Sequence, residues 1–418
     1  MKLTIASFGA QFPRIHPTRL NDNLATVARN VELGSGLPKP MRGAVDVLTL
    51  PDFSAPIKAA YRWKIGVTDY WLQFRDFVDV IRSPIADDDF RRIYWSGDSR
   101  DNEGNVLYSF TPLIYTGDTT YPVAWRRLGV PAPLSAPIIT SFTPPVGGGA
   151  SDDSRIYVFT YVTDIGEESS PSPASANVIT PDDGSTVELS GLAVDGATAS
   201  GRNITKFRIY RSATGSTGNA QLYFVDEILS SATTYSDTKL GSQLAEQIKT
   251  TDWDSPRLGM VGLGLTGYGV AFGFTGKVVC LSVPFVPYAF PRAYELTTQY
   301  DVVAIGHYDS YLVVGTLGNP VIINGIDPTL TSMQELPILE ACVSKRSMVS
   351  MGHSAVYASP NGLVVASGAT AVLATAQIFG QEEWAALNPS SIHAVEHRGK
   401  YLFFWQNGSN KGGFIFNP

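Results

Sequence analysis

The stretch "DVVAIGHYDSYLVVGTLGNPVIING" (Asp301 to Gly325) fixes the fold class. An apolar run is broken by a polar Tyr-Asp-Ser turn, a second apolar run follows, and Gly-Asn-Pro leads into a third. Short apolar runs bounded by Gly, Asp, Asn and Pro are the pattern of antiparallel strands joined by tight turns. The same cadence returns in "YWLQFRDFVDVIRSP" (Tyr70 to Pro84), "SMVSMGHSAVYASPNGLVVASG" (Ser347 to Gly368) and "SIHAVEHRGKYLFFWQNGSNKGGFIFNP" (Ser391 to Pro418). Antiparallel meanders repeated every ~40 residues predict β-propeller blades. Residues 44–131 and 241–418 together supply about six such units by that repeat length. The cadence breaks off after "GGFIFNP". Two expectations follow: an N-terminal strand closes the ring, or a further C-terminal part completes it.

Between these flanks lies a segment of different texture. "LGVPAPLSAPIITSFTPPVGGGASDD" (Leu128 to Asp153) has the Pro, Gly and Ser content of a linker. Beyond it, Tyr157, Phe159 and Tyr161 alternate with Val158, Thr160 and Val162, a period-two strand. "STVELSGL", "ITKFRIYRSATG" and "QLYFVDEILSSATTYSD" continue as short strands with turn residues between them. Residues 132–240 therefore read as an inserted β-sandwich. Residues 1–43 form an arm. Within "RLNDNLATVARNVELGSGLPKP" (Arg19 to Pro40), Leu24, Val27, Ala28 and Val31 fall at i, i+3, i+4 and i+7, with Asn21 or Asp22 as cap. That spacing predicts a short amphipathic helix, ended by Gly34, Gly36, Pro38 and Pro40.

The totals agree with a folded, turn-rich chain. Of 418 residues, 44% are hydrophobic and 17% charged, with 39 Gly and 27 Pro, which excludes a disordered polyelectrolyte. Cys280 and Cys342 lie far apart in apolar runs and read as buried free thiols. The N-terminus is a poor signal peptide, and the apolar span from Leu258 to Pro291 is cut too often by Gly and Pro to cross a membrane as a helix. These features predict a soluble protein made in a reducing cytoplasm, with no membrane anchor. The net charge of −7 is uneven: 16 basic against 14 acidic residues in 1–131, 6 against 12 in 132–240, and 9 against 12 in 241–418. The arm is basic through Lys2, Arg14, Arg19, Arg29, Lys39 and Arg42, and the insert is acidic. Such asymmetry suits docking surfaces.

Signals for chemistry are weak. His393 and His397 have a zinc-helix spacing, but in a strand that spacing separates them by roughly 13 Å. "GLGLTG" (Gly262 to Gly267) matches a dinucleotide fingerprint, yet strand-like sequence follows where a helix is needed. Asp87, Asp88 and Asp89 read as a solvated loop after Pro84. No catalytic, cofactor or metal residue is assigned, and the chain is expected not to be an enzyme.

Two resemblances add to this. "KFRIYRSATG" and "YVFTYVTDIGEESSPS" in the insert resemble fibronectin type III and related immunoglobulin-like modules, with the two phrases in reversed order, so the strand order stays open. The arm, the insert and "VVCLSVPFVPYAFPRAYELTTQYDVVAIGHYDSYLVVGTLGNPVIINGIDP" look like tail nozzle (tail tubular) proteins of short-tailed bacteriophages. The arm pattern of that family is met by Asp22-Asn23, Ala25, Ala28 and Asn30-Val31, followed by Gly34 to Pro40. The resemblance implies an all-β virion protein with a propeller-like body (44–131 and 241–418), a fibronectin III-like insertion (132–240) and a helical arm (1–43). It implies a ring of about six copies in the tail, docking to an adaptor ring and tail fibres and touching genomic DNA in transit. Arg19, Leu24, Val27, Arg29 and Val31 are then the residues expected to dock on a neighbouring subunit or the adaptor. A rival reading is a carbohydrate-binding or depolymerising propeller, with Trp384, Tyr401 or Trp405 stacking on sugars.

Overall fold

The computed structural model describes residues 7–33, 35–41, 43, 45–46, 56–110, 124–148, 155–176, 179, 181–214, 220–325 and 327–418. The expected all-β class holds. Strands form many small antiparallel sheets, none of them closed, and the described residues hold two short α-helices, Gly196–Ala199 and Gln381–Ala386. The chain divides into two compact units: residues 1–54, 276–279 and 296–418 in one, and 55–275 and 280–295 in the other.

In the unit built on 55–275, the hairpin Ala59–Ile65 and Thr68–Phe74 leads into a four-stranded meander. Its strands are Asp79–Arg82, Ile93–Ser96, Leu107–Ser109 and Arg126–Arg127, in sequence order. Trp63, Leu72, Phe74, Ile93, Trp95 and Leu107 share one core. The strand Val261–Leu265 packs on this sheet: the Gly262 amide donates to Asp79 Oδ2 at 3.1 Å and the Leu263 amide to Ser96 Oγ at 3.2 Å. This strand is the "GLGLTG" stretch, and its glycines have a steric cause. A Cβ on Gly264 would lie 2.1 Å from the Phe272 ring, and one on Gly262 2.3 Å from the Phe274 ring, both on the paired strand Ala271–Thr275.

The acidic segment folds as two three-stranded antiparallel sheets. One holds Tyr157–Thr163, Ile204–Thr214 and Ala220–Leu229. The other holds Thr234–Asp237, Thr186–Ser190 and Ile138–Thr143. Tyr157, Phe159, Tyr161, Val187, Leu189, Phe207 and Ile209 form their common core, whose rings meet edge-on, as at Phe159 and Phe207. The expected linker at 128–153 is only partly one. Leu128 and Val130 are buried and Ile138–Thr143 is a strand, because Ile139 supplies an inward side chain to the core. Residues 149–153 of that stretch lie outside the described residues.

The other unit stacks three meanders in chain order. The first comprises Val302–Tyr308, Tyr311–Thr316, Val321–Asn324 and Ser332–Glu335, and the second Val349–Ser350, Ala355–Ser359, Gly362–Ser367 and Thr370–Leu373. The third is His393–His397, Lys400–Asn407 and Asn410–Phe416. Tyr308, Val313 and Ile322 of the first meet Ala355 and Ala366 of the second. Val356, Ala358 and Leu363 of the second meet Trp384, Tyr401 and Phe403 of and before the third. Both cysteines are buried free thiols, and burial pushes each up to about 12.

The helical arm is not formed. A single 3-10 turn, Pro17–Arg19, is followed by turns and by the two-residue strands Val31–Glu32 and Lys39–Pro40. The backbone bonds run across the arm instead: Gly9 N to Asn23 O at 2.7 Å, Phe12 N to Ala25 O at 2.8 Å and Ala25 N to Ala10 O at 3.0 Å. Leu20 is extended and Asn30 left-handed, neither compatible with a helix through both. Asn21, Asp22, Asn23 and the β-branched Thr26 and Val27 favour this outcome, and a run this short cannot offset the cost of helix nucleation. Lys2, Gly34 and Arg42 lie outside the described residues.

The two-sheet segment depends on one buried ion pair. Arg211 Nη1 lies 2.6 Å from Asp237 Oδ2, and both side chains are buried. Tyr157 Oη donates to the same oxygen at 2.8 Å, and Arg211 also donates to Lys239 O at 2.9 Å. Removing one partner strands the other charge in the interior. Asp237→Ala is expected to cost about 3–5 kcal/mol, read as a lowered urea midpoint in fluorescence-monitored unfolding; a loss below about 1 kcal/mol would show that the pair carries little.

Candidate functional site

The residues singled out for docking lie along the arm but do not share one face. Val27 is 64% exposed, Arg19 and Arg29 are exposed, and Leu24 and Val31 are half-buried. Leu24 turns inward because its Cδ2 approaches Gly9, where an added Cβ would stand 3.0 Å away. Val31 is held opposite Pro40. An extended segment sends alternate side chains to opposite sides, so the helical stripe dissolves and leaves Arg19, Val27 and Arg29 outward.

Among the described residues, three bonds tie the arm to the rest of its unit. Arg14 N donates to Ile378 O at 3.2 Å, the Arg14 guanidinium reaches Ala376 O, and Glu32 pairs with Lys400. The bond from Lys400 holds the Glu32 carboxyl below the usual carboxylate range. Exposed pairs of this kind contribute little stability.

Lys400 belongs to the third meander, whose two faces differ. Tyr401, Phe403 and Phe414 point into the core. On the opposite face Val395, Leu402 and Ile415 stand in one cross-strand row, with Phe404 in the next. Val395 is 49% exposed, Phe404 54% and Ile415 39%. The Phe404 ring covers Gly413, where a Cβ would come within 2.9 Å of it. Sequence reading noticed the strands here but not the open apolar face; the alternation of Leu402 and Phe404 with Tyr401 and Phe403 was the available signal.

Other candidates resolve differently. Trp384 and Tyr401 are core residues, Trp384 Nε1 donating to Ser359 O at 2.9 Å and Tyr401 Oη to Ser347 O at 2.6 Å, so neither offers a ring to a sugar. Trp405 is half-buried over Gly412. His393 and His397 sit exposed on a strand, as the surrounding pattern predicts, and no group of three or more metal-ligating side chains occurs among the described residues. Asp88 corrects the reading of a solvated acidic loop. Its carboxylate is buried and grips Arg92, accepting from Nε at 2.8 Å and Nη2 at 3.2 Å.

That grip opens onto a polar junction which sequence reading missed entirely, since its members are scattered from Asp88 to Tyr288. It lies where the turn after Tyr157–Thr163 meets the sheet of Ile93–Ser96 and Leu107–Ser109. Arg126 binds Asp164 of the turn, Nη2 to Oδ2 at 3.0 Å. Glu168 is fully engaged, accepting from Thr160 Oγ1 and Tyr210 Oη at 2.7 Å and from Arg208 Nη1 at 2.6 Å. Glu167, its neighbour, is buried with Oε1 unpartnered and Arg92 Nη1 at 3.9 Å. The Tyr94 and Tyr108 side chains are buried beside it. Burial pushes the Glu167 carboxyl up to about 7, against the pull of Arg92 and Arg126. A second arginine seam runs alongside: Arg202 donates to Gly129 O at 2.7 Å and Asn105 Oδ1 at 3.3 Å, and burial brings it down to about 10.

No family model and no curated protein matches the chain. Among solved structures it is similar to a chain of "Crystal structure of Nidogen/Laminin Complex", at 9% identity over 53% of this chain and 90% of that one, with a TM-score of 0.20. A likeness that slight bears on neither fold nor function. No helix among the described residues is long and apolar enough to cross a membrane.

Since Trp384 is core rather than a ligand platform, Trp384→Ala is expected to destabilise by about 3–5 kcal/mol. Val27→Asp, at an exposed site, should change stability by no more than ~0.5 kcal/mol. Chemical denaturation of both variants checks the contrast.

Proposed function

We propose that this chain is a structural virion protein, the tail nozzle of a short-tailed bacteriophage, acting without catalysis. In this reading the stacked meanders are blades of a propeller-like body, and residues 132–240 are a fibronectin III-like insertion. About six copies form a ring that conducts DNA outward and seats tail fibres below the adaptor ring. The proposal rests on the sequence resemblance. The observation that best supports an assembling role is the arm: among the described residues it is knitted by its own backbone bonds, with Arg19, Val27 and Arg29 outward. Such an arm can be exchanged between copies at low cost, which turns weak surface contacts into a closed cyclic assembly. The near balance of charge in the flanks suits a channel past which a polyanion slides, since a strongly basic lumen would hold DNA through counterion release.

The test is assembly. The purified chain, alone or with its adaptor, should give a ring by analytical ultracentrifugation and negative-stain imaging. Val27→Asp should abolish the ring while leaving the monomer folded, and Arg19→Ala should weaken it mildly, more so at low salt where charge pairing counts most. Deletion of residues 1–40 that left assembly intact would reduce the arm to a passive tail. A chain that stays monomeric with every tail partner, or that degrades a polysaccharide, would overturn the proposal.

A further inference from the structure

We propose that the turn bearing Glu167 is a proton-operated latch, fixing the two-sheet segment on the sheet of Ile93–Ser96 and Leu107–Ser109 while the carboxyl is protonated and loosening when it ionises. The inference is independent of the nozzle reading.

The case begins with charge balance. Two guanidiniums enter the junction, from Arg92 and Arg126, and each is already claimed by a carboxylate, Asp88 and Asp164 respectively. An ionised Glu167 is a third carboxylate for two cations. Arg92 Nη1, at 3.9 Å, is too distant for a hydrogen bond. The surrounding groups are, on its own turn, Asp164 and Glu168; before and on Ile93–Ser96, Asp88, Arg92 and Tyr94; on Leu107–Ser109, Tyr108; on the last strand of that sheet, Arg126; and Tyr288 from the segment after Ser282. Glu168 is spent on Thr160, Tyr210 and Arg208. None of these adds an uncommitted cation, so protonating Glu167 is what neutralises the site.

Geometry supplies the second part. Glu167 is buried and its Oε1 has no hydrogen-bond partner, whereas the adjacent Glu168 is fully satisfied. A buried charge with an unsatisfied oxygen is costly, a neutral carboxyl much less so. The turn is internally bonded: Thr163 N donates to Glu167 O at 2.9 Å, Gly166 N to Thr163 O at 3.1 Å, and Glu167 N to Thr163 Oγ1 at 3.0 Å.

The direction follows from linkage. Docked, Glu167 titrates near 7; undocked and solvated, it returns to the ordinary range near 4.3. The docked state therefore holds the extra proton, and its advantage is complete below the solvated value and is lost as pH rises through about 7.

Hydrogen exchange on the full chain tests this. After correction for intrinsic rates, protection of the Thr163, Gly166 and Glu167 amides should fall by up to ~100-fold between pH 5 and 7.5, near tenfold per unit until the docked value is passed. Glu167→Gln should remain protected across that range. Asp88→Asn, which frees Arg92 for Glu167, should move the transition to lower pH. Protection of the native turn that does not change with pH, or a slope that survives in Glu167→Gln, would overturn the proposal. Should the glutamine variant fail to fold, carbon-13 titration of the Glu167 carboxyl in the native chain decides: a midpoint near 7 supports the latch, and one near 4.3 refutes it.

Discussion

A small antiparallel sheet has two faces and cannot hide either by itself. Everything in the unit of residues 296–418 follows from that constraint. The first meander covers Tyr308, Val313 and Ile322 with Ala355 and Ala366 of the second. Gly306 and Gly315 permit the approach, since a Cβ on either would press within 3 Å of Met348 or Cys342. The second then lays Val356, Ala358 and Leu363 against Trp384, Tyr401 and Phe403. Each sheet is finished by the next in the chain. On the far face of the third, Val395, Phe404 and Ile415 are exposed.

The two-sheet segment solves a different problem. Its acidic surplus is not simply spread over the surface. Glu168 and Glu227 share Arg208, Asp237 takes Arg211, and Asp164 reaches out to Arg126. Carboxylates thus serve as connectors both within the segment and to the sheet it sits upon. A connector needs one cation per anion, and the junction at Glu167 is where that accounting falls short.

Much of the fold was legible because it is local. Period-two alternation at Tyr157, Phe159 and Tyr161 found a strand, and the Gly, Asp and Asn turns found the meanders. The glycines of "GLGLTG" were placed in a strand for the right reason, and their ring partners are only a few residues away. The arm misled because Leu24, Val27, Ala28 and Val31 satisfy helical spacing, whereas the competition from residues 8–12 for its backbone bonds is invisible in a periodic pattern. The buried junction was illegible for a related reason. Asp88, Arg92, Tyr108, Arg126 and Glu167 are separated by loops of unknown path, and nothing in an isolated Asp-Asp-Asp run says that only its middle member turns inward.

The close approach of Gly264 to Phe272 has a consequence for how the sequence can vary. The ring occupies the space that any side chain at 264 would need, at 2.1 Å from where its first carbon would stand. The two positions are coupled: a larger residue at 264 requires the ring at 272 to shrink or move. Contacting residues of this kind show strong non-additivity. The two positions should therefore vary together in related sequences, a side chain at 264 appearing where 272 is small.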